Sequence, residues 1–344
     1  MIGVFKLFDN FRWAEIRFRN NPIFFYGLTI AASWAGVGSL LNSITMTQTY
    51  GIVPSLIWSA ANVLACILFG WTVHKLPTLR DVMKTSVVRY IIAVMSVFQI
   101  WLNMNGIQAV FSDTSVGVDG GTAIAYAVAI GFIFLLLWRG MIRNILTDGA
   151  SWIIVYELIA GITVLAFISS GGEFNSMSWG LDTVSMQSGF EKAFLLLPGP
   201  FTFIYFYELL NYNDANEDGT QKVNMQQAFT LGGLLFGIYM LFAFALAFVN
   251  FSAELNLIKA ILISLVAIST LSTFIYSNYI VFGRKLGLAI DAVAVVLWSQ
   301  FMDLGVMGVW VLVASIRQYL VGAFILAAIA LMIKRRGNEK NFGT

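Results

Sequence analysis

Residues 31–43, AASWAGVGSLLNS, put Ser33, Gly36, Gly38, Ser39, Asn42 and Ser43 into an otherwise apolar run. Glycines weaken a helix, and hydroxyls and amides bring hydrogen-bonding groups where apolar side chains should be. If the helix comes apart there, its freed carbonyls and helix ends can hold a ligand or a cation. If it stays whole, the same small residues let a neighbouring helix approach closely. Gln99 and Asn103 lie one helical turn apart and share a face, suited to a polar ligand or to interhelical hydrogen bonding. Glu157, Glu208, Asp291 and Arg317 also fall inside apolar runs, where charge is costly unless paired or facing water. No nucleophile–base set, catalytic carboxylate pair or phosphate-cradling glycine loop is present, so an enzyme is not expected.

The elements that must position these residues are membrane helices. The chain of 344 residues is 59% hydrophobic and 11% charged, with mean hydropathy +0.81. Soluble domains carry about 25% charged residues. The apolar residues come in runs of about 20, the length a helix needs to cross the hydrocarbon of a bilayer. Ten spans are predicted, over 24–43, 51–73, 87–110, 122–138, 150–170, 194–211, 227–249, 257–281, 286–303 and 307–333. The alternation of an outer-membrane barrel is absent.

Charge orients the spans. With the N-terminus inside, 17 of the 20 basic residues fall in inner segments, leaving Lys192, Lys259 and the intramembrane Arg317. This distribution predicts a multi-pass protein of the plasma (inner) membrane with both termini cytoplasmic. A formal charge of +2 suggests no nucleic-acid partner, and the lipid bilayer is the environment. Cys66 reads as a small apolar helix residue, and the lone His74 argues against a histidine metal centre. Residues 1–23 read as an amphipathic cytoplasmic segment lying on the membrane, and 334–344 as a basic cytoplasmic tail.

Ten helices divide into five plus five, 24–170 and 194–333, separated by an outer loop at 171–193. The sixth span, LLLPGPFTFIYFYELL, carries Pro198, Gly199 and Pro200, so both halves open with an interrupted helix. Such matched interruptions mark a transporter site at an inverted-repeat interface. By depth, Glu157 and Arg317 both fall near mid-membrane, and an ion pair between them is expected. Glu208 and Asp291 lie nearer the inner face and are expected to be solvated.

Three segments together resemble a known family. AASWAGVGSLLNSITMTQTYG (31–51), WRGMIRNILTDGASW (138–152) and AISTLSTFIYSNYIVFGRK (267–285) are similar in order and spacing to signatures of the sodium:solute symporters. That family includes sodium/glucose and sodium/proline cotransporters. The resemblance covers the first eight spans and implies an all-α LeuT-type fold, here reduced to a ten-helix core with the first and sixth helices discontinuous. It implies alternating access and one sodium ion, with no organic cofactor. By position, the ion would be held by carbonyls near Ala32, Ala35 and Val266 and by the hydroxyls of Ser269 and Thr270. Aligning Arg284 selects that Ser-Thr pair over Ser272-Thr273. A small polar solute would meet Gly38 and Ser39 in the first helix, Gln99 and Asn103 in the third, and Thr202 and Tyr205 in the sixth. The family's usual glutamine after the Thr-Asp pair is missing here, and the loop after the sixth helix, NYNDANEDGTQK, is acidic rather than basic.

Asp214, Asn216, Asp218 and Gly219 match the opening of an EF-hand calcium loop, but the twelfth position is Met225, so calcium is not expected. Two further functions fit the same sequence: a non-transporting sensor, decoy or assembly protein, and a sodium-independent carrier. The sequence sets neither the solute nor the oligomeric state.

Overall fold

A computed structural model describes residues 21–136, 141–170, 175–215, 222–249, 251 and 253–342, and every described element is helical. The first span is two helices, α1 (Pro22–Trp34) and α2 (Val37–Tyr50), bent by 65°. After Gly51 the chain continues as α3 (Ile52–Lys75), the short α4 (Thr78–Met83) and α5 (Ser86–Ser112). Gly51 has φ +99, and a Cβ there would sit 2.6 Å from Ser178 O and Gly180 N, so only glycine fits this turn. Next come α6 (Gly117–Leu136), α7 (Met141–Ser169) and α8 (Thr183–Leu196).

The second interrupted span follows. A 3-10 turn (Gly199–Thr202) leads through extended Phe203 into α9 (Ile204–Ala215), with a bend of 43°. Then come α10 (Met225–Ala245), α11 (Ala253–Leu297) and α12 (Gly305–Phe342). α11 is two helical arms joined at Gly283, whose φ of +74 breaks the ladder. Its arms correspond to the predicted eighth and ninth spans.

Among the described residues six helices are long and apolar enough to cross a membrane, or eight if each bent pair is one span. This is a multi-pass, all-helical membrane protein. The count is lower than ten in part because it takes both arms of α11, which turn at Gly283, as one helix, and because the fourth predicted span runs into 137–140, outside the described residues. Residues 1–20 of the predicted amphipathic segment and 216–221 of the calcium-loop decoy also lie outside them. The expected outer loop departs from expectation: beyond 171–174, which are outside the described residues, it contains α8 from Thr183 onward. The Asp182 carboxylate accepts a hydrogen bond from Ser185 N at 2.9 Å and so caps that helix. α12 continues into the basic tail as far as Phe342.

Packing holds the two bends in place. α10 lies against both α1 and α3, and α5 packs chiefly against α11. Phe69 of α3 sits within 4.8–5.6 Å, ring to ring, of Phe201, Phe206, Tyr207 and Phe229, binding the second break to α3 and α10. Such edge-on aromatic contacts add to the stabilisation from burial. At the end carrying Arg80 and Arg335, ion pairs join α4 to α9 (Arg80–Asp214, 2.5 Å), α5 to α9 (Arg89–Glu208, 2.8 Å) and α12 to α4 (Arg335–Asp81, 2.7 Å). Glu208 is therefore paired rather than simply solvated.

Asp291 departs further from its expected solvated position. It is fully buried on the second arm of α11, and its Oδ1 accepts from Asn278 Nδ2 at 2.6 Å. Asn278 Oδ1 in turn accepts from Ser96 Oγ of α5 at 2.5 Å. The turn at Gly283 folds the second arm back on the first, where Gly287 permits close approach to the Asn278 carbonyl. The solvation expected of Asp291 is therefore not found.

Candidate cation junction and central cavity

The break in the first span sets the site. Ala35 N still bonds Ala31 O at 2.8 Å, but Gly36 N turns to Trp34 O at 3.1 Å and Ser39 N to Gly36 O at 3.0 Å. The carbonyls of Ala32 and Ala35 thereby lose the amides that a continuous helix would supply. Both carbonyls face α11. Thr270 Oγ1 lies 3.5 Å from Ala32 O, 3.2 Å from Ala35 O and 3.1 Å from Val266 O. A hydroxyl has one proton, so it cannot satisfy three carbonyls together. Four oxygens at these separations resemble neighbouring vertices around a hard cation with metal–oxygen distances of about 2.3–2.6 Å.

Of the five residues expected at such a site, Ala32, Ala35, Val266 and Thr270 converge. Ser269 turns aside: its Oγ lies 3.4 Å from Oδ1 of Asp148, on α7. Asp148 is buried, and it brings next to the junction a carboxylate that sequence reasoning missed. Its signal was present in the Thr-Asp of the 138–152 segment. Ser272 and Thr273, the alternative pair, both bond back to Ser269 O. Among the described residues no cluster of three His, Cys, Asp or Glu side chains could hold a metal.

Beside the junction lies a cavity with about 510 Å³ of space, its open mouth included. Gly38, Ser39, Gln99 and Asn103 line it, as does Thr270. Asn103 Nδ2 donates to Gln99 O of its own helix at 2.8 Å. Its Oδ1 and the Nε2 of Gln99 have no partner among the described residues, so neither amide side chain serves as an interhelical bond. A Cβ on Gly36 would sit 3.3 Å from Asn103 Oδ1 and 3.7 Å from Thr270 Oγ1, so junction and cavity share a wall. Gly38 also serves packing, since a Cβ there would come within 3.0 Å of Leu102. Both uses of the polar stretch, a break and a close-packed seam, coexist.

Two expected solute residues are elsewhere. Thr202 Oγ1 donates to Gly199 O at 3.0 Å within the 3-10 turn, and Tyr205 is buried against Phe203 and Tyr276. The turn's geometry spends the threonine hydroxyl locally and rotates the tyrosine away from the cavity. The cavity instead takes Trp34, Asn62, Phe274, Trp310 and Arg317. Gly199 makes room for the Trp34 ring, which would clash with a Cβ at that position.

The expected Glu157–Arg317 pair is not formed. Glu157 is exposed on the face of α7 that carries Ile154 and Leu158, whereas Arg317 is 7% exposed. The buried face of α7 is Trp152, Val155, Ile159, Ile162 and Ala166, and the helical phase turns residue 157 away from it. The two charges were expected at similar depth, but their side chains face different surroundings.

Neither the models of known protein families nor the curated proteins give a match to this sequence. Among solved structures, a manganese transporter of Eremococcus coleocola, crystallised with an aromatic bis-isothiourea substituted compound, is similar at 12% identity. The match covers 90% of this chain and 77% of that one, with a TM-score of 0.44.

Proposed function

We propose that the protein is a secondary transporter of the LeuT type, related to the sodium:solute symporters, that couples sodium to a small polar organic solute. The observation that carries this reading is the convergence of the Ala32, Ala35 and Val266 carbonyls on Thr270 Oγ1, beside a cavity where Asn62, Gln99 and Asn103 each have a buried amide atom without a partner among the described residues. Sodium would be cargo at that junction and the solute cargo in the cavity. The two bent pairs, 65° and 43°, support reading 24–170 and 194–333 as inverted repeats with ten spans in all. Both termini would then be cytoplasmic.

The physics of coupling follows from shared parts. A cation drawing together carbonyls of the broken first span and Thr270 of α11 fixes the angle between them, favouring one of two alternating conformations. The same break presents Gly36 to Asn103, so the ordering of one site shapes the other. The sodium-independent carrier remains a second reading, because Thr270 Oγ1 can spend its proton on Val266 O of its own helix.

Thermal unfolding in sodium and in potassium at equal ionic strength tests the proposal, followed by solute flux in proteoliposomes. A sodium-specific rise in melting temperature is expected for the native chain and is lost in Thr270→Val and in Ser269→Ala/Thr270→Ala. Identical melting in the two cations removes sodium coupling and leaves the uncoupled carrier. An intact fold with no flux of any solute favours the non-transporting reading.

A further inference from the structure

Arg317 is the one buried basic side chain among the described residues, and it lines the cavity. No hydrogen bond or ion pair to it occurs among those residues, and its buried Nε has no partner there. The polar groups that share the cavity with it are neutral: Asn62, Gln99 and Asn103, with the hydroxyls of Ser39 and Thr270 and the indole N–H of Trp34. Among the described residues no acidic side chain lines the space. A buried guanidinium without a counter-charge is among the most destabilising arrangements a chain can hold, unless something from outside completes it.

The geometry points to a small organic monoanion as the solute, held by Arg317 through its carboxylate. A planar guanidinium fork matches a carboxylate by two parallel N–H···O bonds, which a compact inorganic ion does not reward equally. The rest of the lining fits the remainder of such a molecule. Gln99 Nε2 and Trp34 Nε1 are donors without partners; Asn62 Oδ1 and Asn103 Oδ1 are acceptors without partners, suited to a hydroxyl on the solute. The Trp310 and Phe274 side chains supply apolar walls for its carbon frame. This inference deepens the transporter proposal and rests on it for the word solute, but the binding site itself stands on the cavity.

The test uses the full-length protein in detergent, native and as Arg317→Met, Arg317→Gln and Arg317→Lys. First, without added solute, Arg317→Met is expected to melt at a higher temperature than the native chain, because it removes an unpaired buried charge. A lower melting temperature for both Arg317→Met and Arg317→Gln would mean the guanidinium has a structural partner, and would overturn the proposal. Second, lactate, glycerate and pyruvate are tested against lactamide, glyceramide, pyruvamide and sodium chloride. At least one carboxylate is expected to raise the native melting temperature and to bind at least about 30-fold more weakly to Arg317→Gln. Arg317→Lys retains part of that binding. No shift with any carboxylate, an equal shift with the amides, or an equal shift with chloride each overturns it. The sodium-against-potassium comparison is run alongside. Carboxylate binding without a sodium effect would sink the coupling and keep this site; a sodium effect without carboxylate binding would do the reverse.

Discussion

Arg317 and Asp291 are both charged, both buried and both in the C-terminal third of the chain, yet the protein treats them in opposite ways. Asp291 is tied into the structure through one oxygen: the Asn278 amide donates to Oδ1, and Ser96 donates to Asn278, joining α5 to both arms of α11, while Oδ2 has no partner among the described residues. Arg317 opens onto space and receives nothing from the described residues. Burial alone therefore says little about function in a membrane. What separates the two is that the chain itself holds one oxygen of Asp291, whereas it makes no hydrogen bond or ion pair to Arg317 among the described residues.

Mutating Asp291 should be the most damaging way to probe that contrast. Asp291→Ala strands the Asn278 amide in a buried site, with an expected loss of about 1–3 kcal/mol, seen as a lower melting temperature in detergent. Asp291→Asn keeps an acceptor for Asn278 and should cost about 1 kcal/mol or less. Together with a stabilising Arg317→Met, this gives opposite signs for removing two buried charges. If Asp291→Ala and Arg317→Met move the melting temperature the same way, the distinction between them collapses.

A smaller effect is expected at the wall between junction and cavity. Gly36 has φ −78 and ψ +170, a conformation open to any residue, so its need for glycine is one of space. In Gly36→Ala the new methyl presses on Asn103 Oδ1 and the Thr270 methyl, both 3.3 Å away. Reduced freedom of the unfolded chain offsets that contact, so stability should stay within about 1 kcal/mol of native. The sodium-dependent rise in melting temperature should shrink all the same, and carboxylate binding should weaken with it. A full sodium response in Gly36→Ala would mean that the two sites do not share this wall.

How much of the fold and site was legible in the sequence follows from what periodicity encodes. The break was legible, because glycines and hydroxyls gathered inside an apolar run weaken a membrane helix at that point. Thr270 was reached through the family resemblance, by the alignment on Arg284, and not through periodicity. Ser269 was not legible, since adjacent residues on a helix point about 100° apart and only one of the pair can face the first span. Thr202 and Tyr205 were hidden because the Pro198–Pro200 stretch leads into a 3-10 turn, whose different twist changes which side chains look inward. The turn at Gly283 was legible, because Arg284 and Lys285 separate the predicted eighth and ninth spans, and the two arms of α11 match them.

Glu157 shows the same limit most clearly and gives the smallest expected effect. Its azimuth follows from the spacing of Trp152, Val155, Ile159, Ile162 and Ala166, which marks the inward face of the helix. On the opposite face it has neither Arg317 nor the cavity to act on. Glu157→Gln should change stability by no more than about 0.5 kcal/mol and leave the responses to sodium and to carboxylates as they are in the native chain. Glu157→Gln combined with Arg317→Gln should behave as Arg317→Gln alone. A coupling between the two substitutions in melting temperature would require the helices to bring these side chains together in another conformation, and Arg317 would then be a charge the protein pairs part of the time, no longer one kept free for a solute.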